Sequence, residues 1–313
     1  MKEQQTPRKR NLWAIVLAGG KGARISSLSR ELIGQEVPKQ YLPLLSSKRS
    51  LLQETHERLS DFVPQERTVV VVAKEWAGLA TKQLQDYPGV RVIPQPSDRG
   101  TAPGILLPLC HVLAHAPDAD VVVTPSDHHI ANPQSFKTAV NETLQTIDAV
   151  PNTMALLGVK PEYAATDFGW IQPAEMVGSA RRIARFIEKP DVQKAEVLMK
   201  GGALWNTFIM VSRASTLWTT IFRGNPSLAA LLEPYIQQVA RSPLSAVGYC
   251  EYVYSKLPTV DFSSDILQEA NNLLVSPMKS AGWFDCGTPE RLFDWLRKTP
   301  TSDSPFRRLM DAA

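Results

Sequence analysis

Four short apolar runs set the tightest limit on the fold: "LWAIVLA" (Leu12 to Ala18), "RTVVVVA" (Arg67 to Ala73), "VRVIPQ" (Val90 to Gln95) and "DVVVTPSD" (Asp120 to Asp127). Each is rich in β-branched residues and too short for a buried helix, so each reads as a strand buried on both faces. Helix-like stretches such as "SLLQETHERLSDF" and "EWAGLATKQLQDY" lie between them. Strand alternating with helix at this spacing predicts right-handed βαβ units and a parallel sheet. Two helix starts are marked, at Asn132 before Pro133 and at Thr288 before Pro289 and Glu290. In each, a capping side chain is followed by proline in the first turn. From about Met154 the strands become less regular ("MALLGVK", "FGWIQP", "RIARFIEKP", "LWNTFIMVS"). Helices follow from Thr216 to about Val253, then a last strand-turn-helix.

No linker and no repeat interrupts the 313 residues. A chain of that size can bury roughly 75% of its unfolded surface, enough for one large core. Its 34 Lys+Arg nearly balance 31 Asp+Glu, and the one dense basic cluster, "PRKR" at Pro7 to Arg10, reads as a solvated tail. Nucleic-acid binding calls for a broad basic face with interleaved aromatics, which this pattern lacks. Cys110, Cys250 and Cys286 are far apart and odd in number, which argues against a disulfide framework and for a reducing compartment. No apolar run approaches the roughly 18 residues that span a bilayer, and "WAIVLA" is shorter than a signal-peptide core. The expectation is a cytoplasmic protein with no membrane partner.

Chemistry first shows in "WAIVLAGGKGARISSLS" (Trp13 to Ser29). Gly19, Gly20 and Gly22, placed directly after a strand, let backbone N–H groups approach an anion closely. A dinucleotide fingerprint starting at Gly20 would need glycine at Ile25, and a P-loop would need Ser or Thr where Gly22 follows Lys21. Two adjacent glycines alone would be a tight turn with no ligand. Three of them beside Lys21 and Arg24 favour phosphate.

The same chain then supplies "VPKQYLPL", "QPSDRGTAPGIL", "VVVTPSDHHI", "FIEKP", "LWNTFIM" and "GWFDCGTPERL", in that order. From Trp13 to about Trp295 this series resembles the sugar-1-phosphate nucleotidylyltransferases, most closely the mannose-1-phosphate guanylyltransferase branch. The resemblance implies an α/β, Rossmann-like three-layer fold with a mixed, mostly parallel central sheet. It implies a flexible basic tail over 1–10 and a single domain over 11–298, followed by a short tail over 299–313 with no β-helix domain. Within that domain a nucleotide-binding half (about 11–150) would precede a sugar-phosphate-binding half (about 151–298). The implied reaction is attack by a sugar-1-phosphate oxygen on the α-phosphorus of a nucleoside triphosphate, with Mg²⁺, releasing pyrophosphate. Such chemistry asks a protein mainly to neutralise charge and hold groups in line.

The resemblance assigns residues to those tasks. Ala18, Gly19, Gly20 and Gly22 would give backbone contacts to the triphosphate, and Arg24 a cation for the leaving pyrophosphate. Lys39 in "PKQ" would sit beside the α-phosphate, although "ELIGQEV" lengthens the approach to it. Asp127, at the carboxyl end of a predicted parallel strand, and Asp285 in "WFDCG" would be the metal carboxylates, since Mg²⁺ prefers carboxylate and phosphate oxygens. Gln95, Gly100 and Thr101 are the candidates for reading the base and supporting the triphosphate. Glu188 and Asn206 would bind sugar hydroxyls, Lys189 the sugar phosphate and Gly169 the sugar through its backbone. Thr207 and Phe208 stand where serine and glycine are usual, which suggests a tighter pocket floor, and Asp167 stands where glycine is common. Asp261 reads as a supporting acid, and Asp265 as an early-helix acid favoured by the dipole. The pairs His128/His129 and His111/His115 raise zinc, but without HExxH or a clear third ligand they read as ordinary histidines.

A glutamine amide offers both donor and acceptor, so Gln95 suits guanine, uracil or thymine. "PKQYL", "RGTAP" and "WNTF" lean toward GTP and mannose-1-phosphate, whereas "CGTPERL" leans toward thymidylyl- or uridylyltransferases acting on glucose-1-phosphate. A catalytically silent nucleotide-sugar-binding regulator is a third class, disfavoured by the presence of Arg24, Asp127 and Asp285. A compact catalytic unit is also compatible with a homodimer.

Overall fold

The computed structural model describes residues 10–310. The four apolar runs form β1 (Leu12–Ala18), β2 (Thr68–Ala73), β3 (Arg91–Gln95) and β4 (Asp120–Pro125). They pair in parallel in the order β3-β2-β1-β4. The remaining strands are β5 (His128–Ile130), β6 (Met154–Val159), β7 (Gly169–Val177), β8 (Ala180–Glu188), β9 (Leu204–Arg213), β10 (Leu273–Pro277) and β11 (Trp283–Asp285). Nine of them form one sheet, β3-β2-β1-β4-β9-β6-β10-β8-β7, in which all but β8 and β9 run the same way. β5 and β11 pair separately as an antiparallel ribbon.

Burial on both faces holds for β2 and β4 but not for β3, whose Arg91 and Pro94 are exposed. β3 is the sheet edge. Proline has no N–H to give to a ladder, so an edge is where a strand tolerates Pro94.

The helices are α1 (Ala23–Ile33), α2 (Leu51–Ser60), α3 (Ala77–Gln83), α4 (Thr101–His115), α5 (Pro133–Ala149), α6 (Val192–Lys200), α7 (Ala214–Gly224), α8 (Pro226–Arg241), α9 (Pro243–Lys256), α10 (Pro289–Lys298) and α11 (Arg307–Met310). Asn132 and Thr288 cap α5 and α10, accepting from Ser135 N (3.0 Å) and Arg291 N (3.3 Å). Alternation along β1 sorts the layers. Leu12, Ala14, Val16 and Ala18 join an apolar cluster with α2 and α5, while Trp13 and Ile15 join another with α4 and α8. Successive strand residues point to opposite faces, so helices cover both sides of the sheet, a three-layer α/β architecture.

Contacts to the body of the fold reach into both expected tails. Arg10 pairs with Asp148 (2.8 Å) and Asp120 (3.6 Å), so the basic cluster is anchored at its last residue, while Pro7, Arg8 and Lys9 lie outside the described residues. Beyond Lys298 the chain folds back. Phe306 is buried in the first cluster, and Ser302 and Ser304 donate to the carbonyls of Leu45 and Leu44. A single buried aromatic in a polar stretch leaves no periodicity to read.

His56 is fully buried, edge-on to Tyr87 at 4.1 Å, and neither ring nitrogen has a hydrogen-bond partner among the described residues. Burial lowers its pKa to about 4. A histidine depressed in the folded state contributes stability above its unfolded pKa, and that contribution is lost as pH falls through the folded value. Unfolding free energy should therefore decline by roughly 3 kcal/mol between about pH 6.5 and pH 4 from this group. Urea titrations across that range measure it, and His56→Phe should flatten part of the slope.

Candidate active site

The strand ends gather the site. After Ala18 the chain turns through Gly19 and Gly20 into α1, where Ile25 N donates to Gly22 O (3.1 Å) and no side chain caps the start, an arrangement open to an anion. Gln40 holds this turn, its Nε2 donating to the carbonyls of Ala18 (2.9 Å) and Gly20 (2.7 Å). Gly22 has φ 56°, and a Cβ there would lie 2.6 Å from Lys39 N. Its glycine thus serves both a left-handed turn and the close passage of the Lys39 backbone.

β4 ends beside Asp127, and the β5–β11 ribbon registers Asp285 against His128. That pairing spans more than 150 residues of sequence and sets the two carboxylates at one place. Lys39, 7% exposed, lies between them, with Nζ 2.8 Å from Asp285 Oδ1 and 3.1 Å from Asp127 Oδ2. Burial works against its charge, but the two carboxylates prevail and hold the Lys39 pKa above the usual lysine value. Burial likewise opposes ionisation of Asp285, and Lys39, His128 and Arg291 together overcome it, so its pKa is lowered. His128 accepts from Trp283 Nε1 at 3.3 Å, and burial lowers its pKa against the pull of the two acids.

The charges continue as a chain. Arg291 meets Asp285 (3.3 Å) and Asp167 (2.6 Å), stacks 4.6 Å from the Phe168 ring, and Asp167 in turn faces Arg24 at 3.6 Å. The unusual Asp167 therefore links the glycine turn to α10. Lys21 has its partner outside the cleft, in Asp98 at 3.4 Å.

On the far wall, Lys189 Nζ lies 3.1 Å from Glu188 Oε1, and Gly169 admits Glu188 so closely that a Cβ would come 2.8 Å from Oε2. Asn206 Oδ1 accepts from Phe208 N at 3.1 Å. Phe208 has φ 58°, which explains why glycine suits that position, and Thr207 points to the core, donating to Leu157 O at 2.6 Å. Thr207 does not form a pocket floor. Asp261 accepts from Thr101 Oγ1 (3.0 Å) and Ser264 N (2.9 Å), and Asp265, an acid in the first turn of the short helical segment Ser263–Leu267, accepts from Asp261 N (2.8 Å).

Many of these residues enclose one cleft of about 350 Å³. Gly19, Gly20, Arg24, Thr101, Asp127, Gly169, Glu188, Lys189, Asn206 and Asp285 line it. Ala18, Gly22, Lys39, Gln95 and Gly100 do not reach its surface. Gln95 is 7% exposed and donates to Ser97 O, packing under Gly19. Gly100 has φ 85°, and a Cβ would lie 2.4 Å from Val260 O, so backbone packing accounts for its glycine. Sequence reasoning passed over Gln40, Phe168, Trp283 and Arg291, and it set His128 aside as an ordinary histidine, whereas His128 lines the cleft. Gln40 lies in "PKQ", Phe168 in "FGWIQP", and Trp283 and Arg291 in "GWFDCGTPERL", but no residue pattern gave any of the four a task.

His111 and His115 lie far along α4, where His111 Nε2 meets Tyr235 Oη at 2.9 Å and His115 Nδ1 meets His111 O at 2.8 Å. No helix among the described residues is long and apolar enough to cross a membrane.

The chain is 29% identical over 290 residues to mannose-1-phosphate guanylyltransferase RfbM of Salmonella typhimurium, covering 91% of this chain and 58% of that protein. It is 30% identical over 285 residues to xanthan biosynthesis protein XanB of Xanthomonas campestris, covering 90% of this chain and 58% of that one. The chain thus spans about three-fifths of the length of these curated relatives. A solved structure from Thermus thermophilus, described as a mannose-1-phosphate geranyltransferase, superposes with a TM-score of 0.73 at 26% identity, over 88% of this chain and 76% of that chain. Residues 13–302 match the family described as Nucleotidyl transferase. A match that runs through both halves of the sheet, and so through every residue lining the cleft, makes this chain a member of the nucleotidyl transferase family.

Proposed function

We propose that the chain transfers a nucleotidyl group from a nucleoside triphosphate to a hexose-1-phosphate, with GTP and mannose-1-phosphate as the pair and GDP-mannose and pyrophosphate as products. The observation that carries this reading is the single cleft with a phosphate-suited glycine turn and Arg24 on one wall, and Glu188, Lys189 and Asn206 on the other. Relatives named mannose-1-phosphate guanylyltransferase support the choice of base and sugar.

The triphosphate lies along Gly19 and Gly20, whose backbone follows its oxygens, and Arg24 leaves Asp167 to neutralise the departing pyrophosphate. Lys189 and Asn206 orient the sugar phosphate, so that its oxygen approaches the α-phosphorus as the bond to the β-phosphate oxygen breaks. Lys39, held by Asp127 and Asp285, adds positive charge next to the cleft that these two acids line.

Asp127 and Asp285 already face one cation, the Lys39 ammonium, and two hard carboxylates aimed at one point suit Mg²⁺ when phosphate oxygens complete the set. No cluster of three or more His, Cys, Asp or Glu that could hold a metal occurs among the described residues, so the substrate would supply the rest. When bound, Mg²⁺ neutralises phosphate charge and polarises the reacting phosphoryl group. Inside the cell the two substrates would be soluble metabolites, which fits a cytoplasmic site of action.

A matrix of GTP, dTTP, UTP and ATP against mannose-1-phosphate and glucose-1-phosphate tests the reading by pyrophosphate release. The highest kcat/KM is expected for GTP with mannose-1-phosphate. Preference for dTTP or UTP with glucose-1-phosphate would transfer the assignment to that branch, and no turnover with any pair would favour a silent regulator. Within the matrix, Lys189→Ala should raise KM for the sugar phosphate by roughly tenfold or more with little change for the nucleotide. Equal effects on both would remove Lys189 from the sugar-phosphate side.

A further inference from the structure

A second cavity, about 680 Å³ against about 350 Å³ for the active cleft, shares no lining residue with it. It opens beneath the edge strand β3, between the C-terminal half of α4 and the turn joining α8 to α9. The volume is in the range of small-molecule sites, which are mostly apolar with a few convergent polar groups.

Ala77, Val92, Ile93, Pro94, Val239 and Ala246 supply apolar walls. The polar wall is His111, 8% exposed, with Nε2 on Tyr235 Oη at 2.9 Å. Its Nδ1 is buried and has no partner among the described residues. Burial lowers the His111 pKa to about 3, with Arg91 and His115 adding to the effect, so the ring is neutral.

Charge at the rim narrows the occupant. Lys74 and Glu251 pair with each other at 2.6 Å, whereas Arg91 and Arg241 form no ion pair among the described residues. Two guanidinium groups at the mouth of an apolar cavity select an anionic head on an apolar body.

We propose that this cavity is a second ligand site, taking a small amphipathic anion whose apolar body fills the space beneath β3 and whose carboxylate, sulfonate or phosphate head meets Arg91 and Arg241. The site is independent of the transferase reading, since none of its residues belongs to the cleft.

The test is a fluorescence titration with 8-anilinonaphthalene-1-sulfonate, an apolar aromatic anion, and with N-phenyl-1-naphthylamine, its uncharged counterpart. Arg91→Glu reverses charge at the exposed rim, and Ala240→Trp narrows the cavity from an exposed helix position. Both variants lie outside the catalytic machinery, and their unfolding midpoints and pyrophosphate release should match the unaltered protein. Each should weaken binding of the sulfonate at least about tenfold, while Arg24→Ala in the active cleft leaves it unchanged. The uncharged probe should bind Arg91→Glu as well as it binds the unaltered protein. Undiminished sulfonate binding by both variants, or its loss in Arg24→Ala, would overturn the site. Equal loss of both probes in Arg91→Glu would overturn the anion selectivity. If Ala240→Trp shifts self-association in sedimentation velocity without changing probe binding, the face is an interface between copies and the proposal fails.

Discussion

Asp127→Asn should lower turnover by roughly a hundredfold or more, while the circular-dichroism spectrum and unfolding midpoint stay close to those of the unaltered protein. The substitution keeps shape and hydrogen-bonding capacity but removes one of the two charges that converge at the site. Asp285 retains Lys39 and Arg291 as partners, so the buried charges remain compensated. Loss is therefore expected in the chemistry and not in the fold. Pyrophosphate release by the variant at near-normal rate would remove Asp127 from the reaction.

Lys39→Met should act on both. Lys39 is the cation that separates Asp127 from Asp285, and its removal leaves two carboxylates facing each other in a mostly buried place. Breaking a buried pair by deleting one partner costs about 3–5 kcal/mol, chiefly through the charge left behind. The unfolding midpoint in urea should fall accordingly, and turnover should fall with it. Because Asp127 then loses its lysine partner and Asp285 keeps only Arg291, Mg²⁺ alone should restore part of the lost stability, by binding the folded state preferentially. A variant as stable as the unaltered protein, with no response to Mg²⁺, would contradict the role given to the pair.

What the sequence disclosed follows from where its information is local. The β-branched runs of β1, β2 and β4 could be nothing but buried strands, and the Asn-Pro and Thr-Pro pairs fixed two helix starts because capping is settled within one turn. Arg24, Asp127 and Asp285 were legible as charged residues next to strands or glycines, in an ordered series. The β5–β11 pairing was not, because three-residue strands carry no periodicity and their register depends on a partner far along the chain. Nor could the sequence tell a glycine that meets a ligand from one that meets its own backbone. Gly22 and Gly100 are held by Lys39 N and Val260 O, and Gln95 by Ser97 O. Phe208 reads as a steric change, yet its left-handed backbone shows that the position is set by conformation.

If one cleft joins a triphosphate to a sugar phosphate, pyrophosphate release is tied to the sugar in fixed stoichiometry. With γ-labelled GTP and Mg²⁺, labelled pyrophosphate should form only when mannose-1-phosphate is present, one equivalent for each GDP-mannose recovered. Pyrophosphate formed at the same rate without the sugar phosphate, or label recovered as inorganic phosphate, would contradict it.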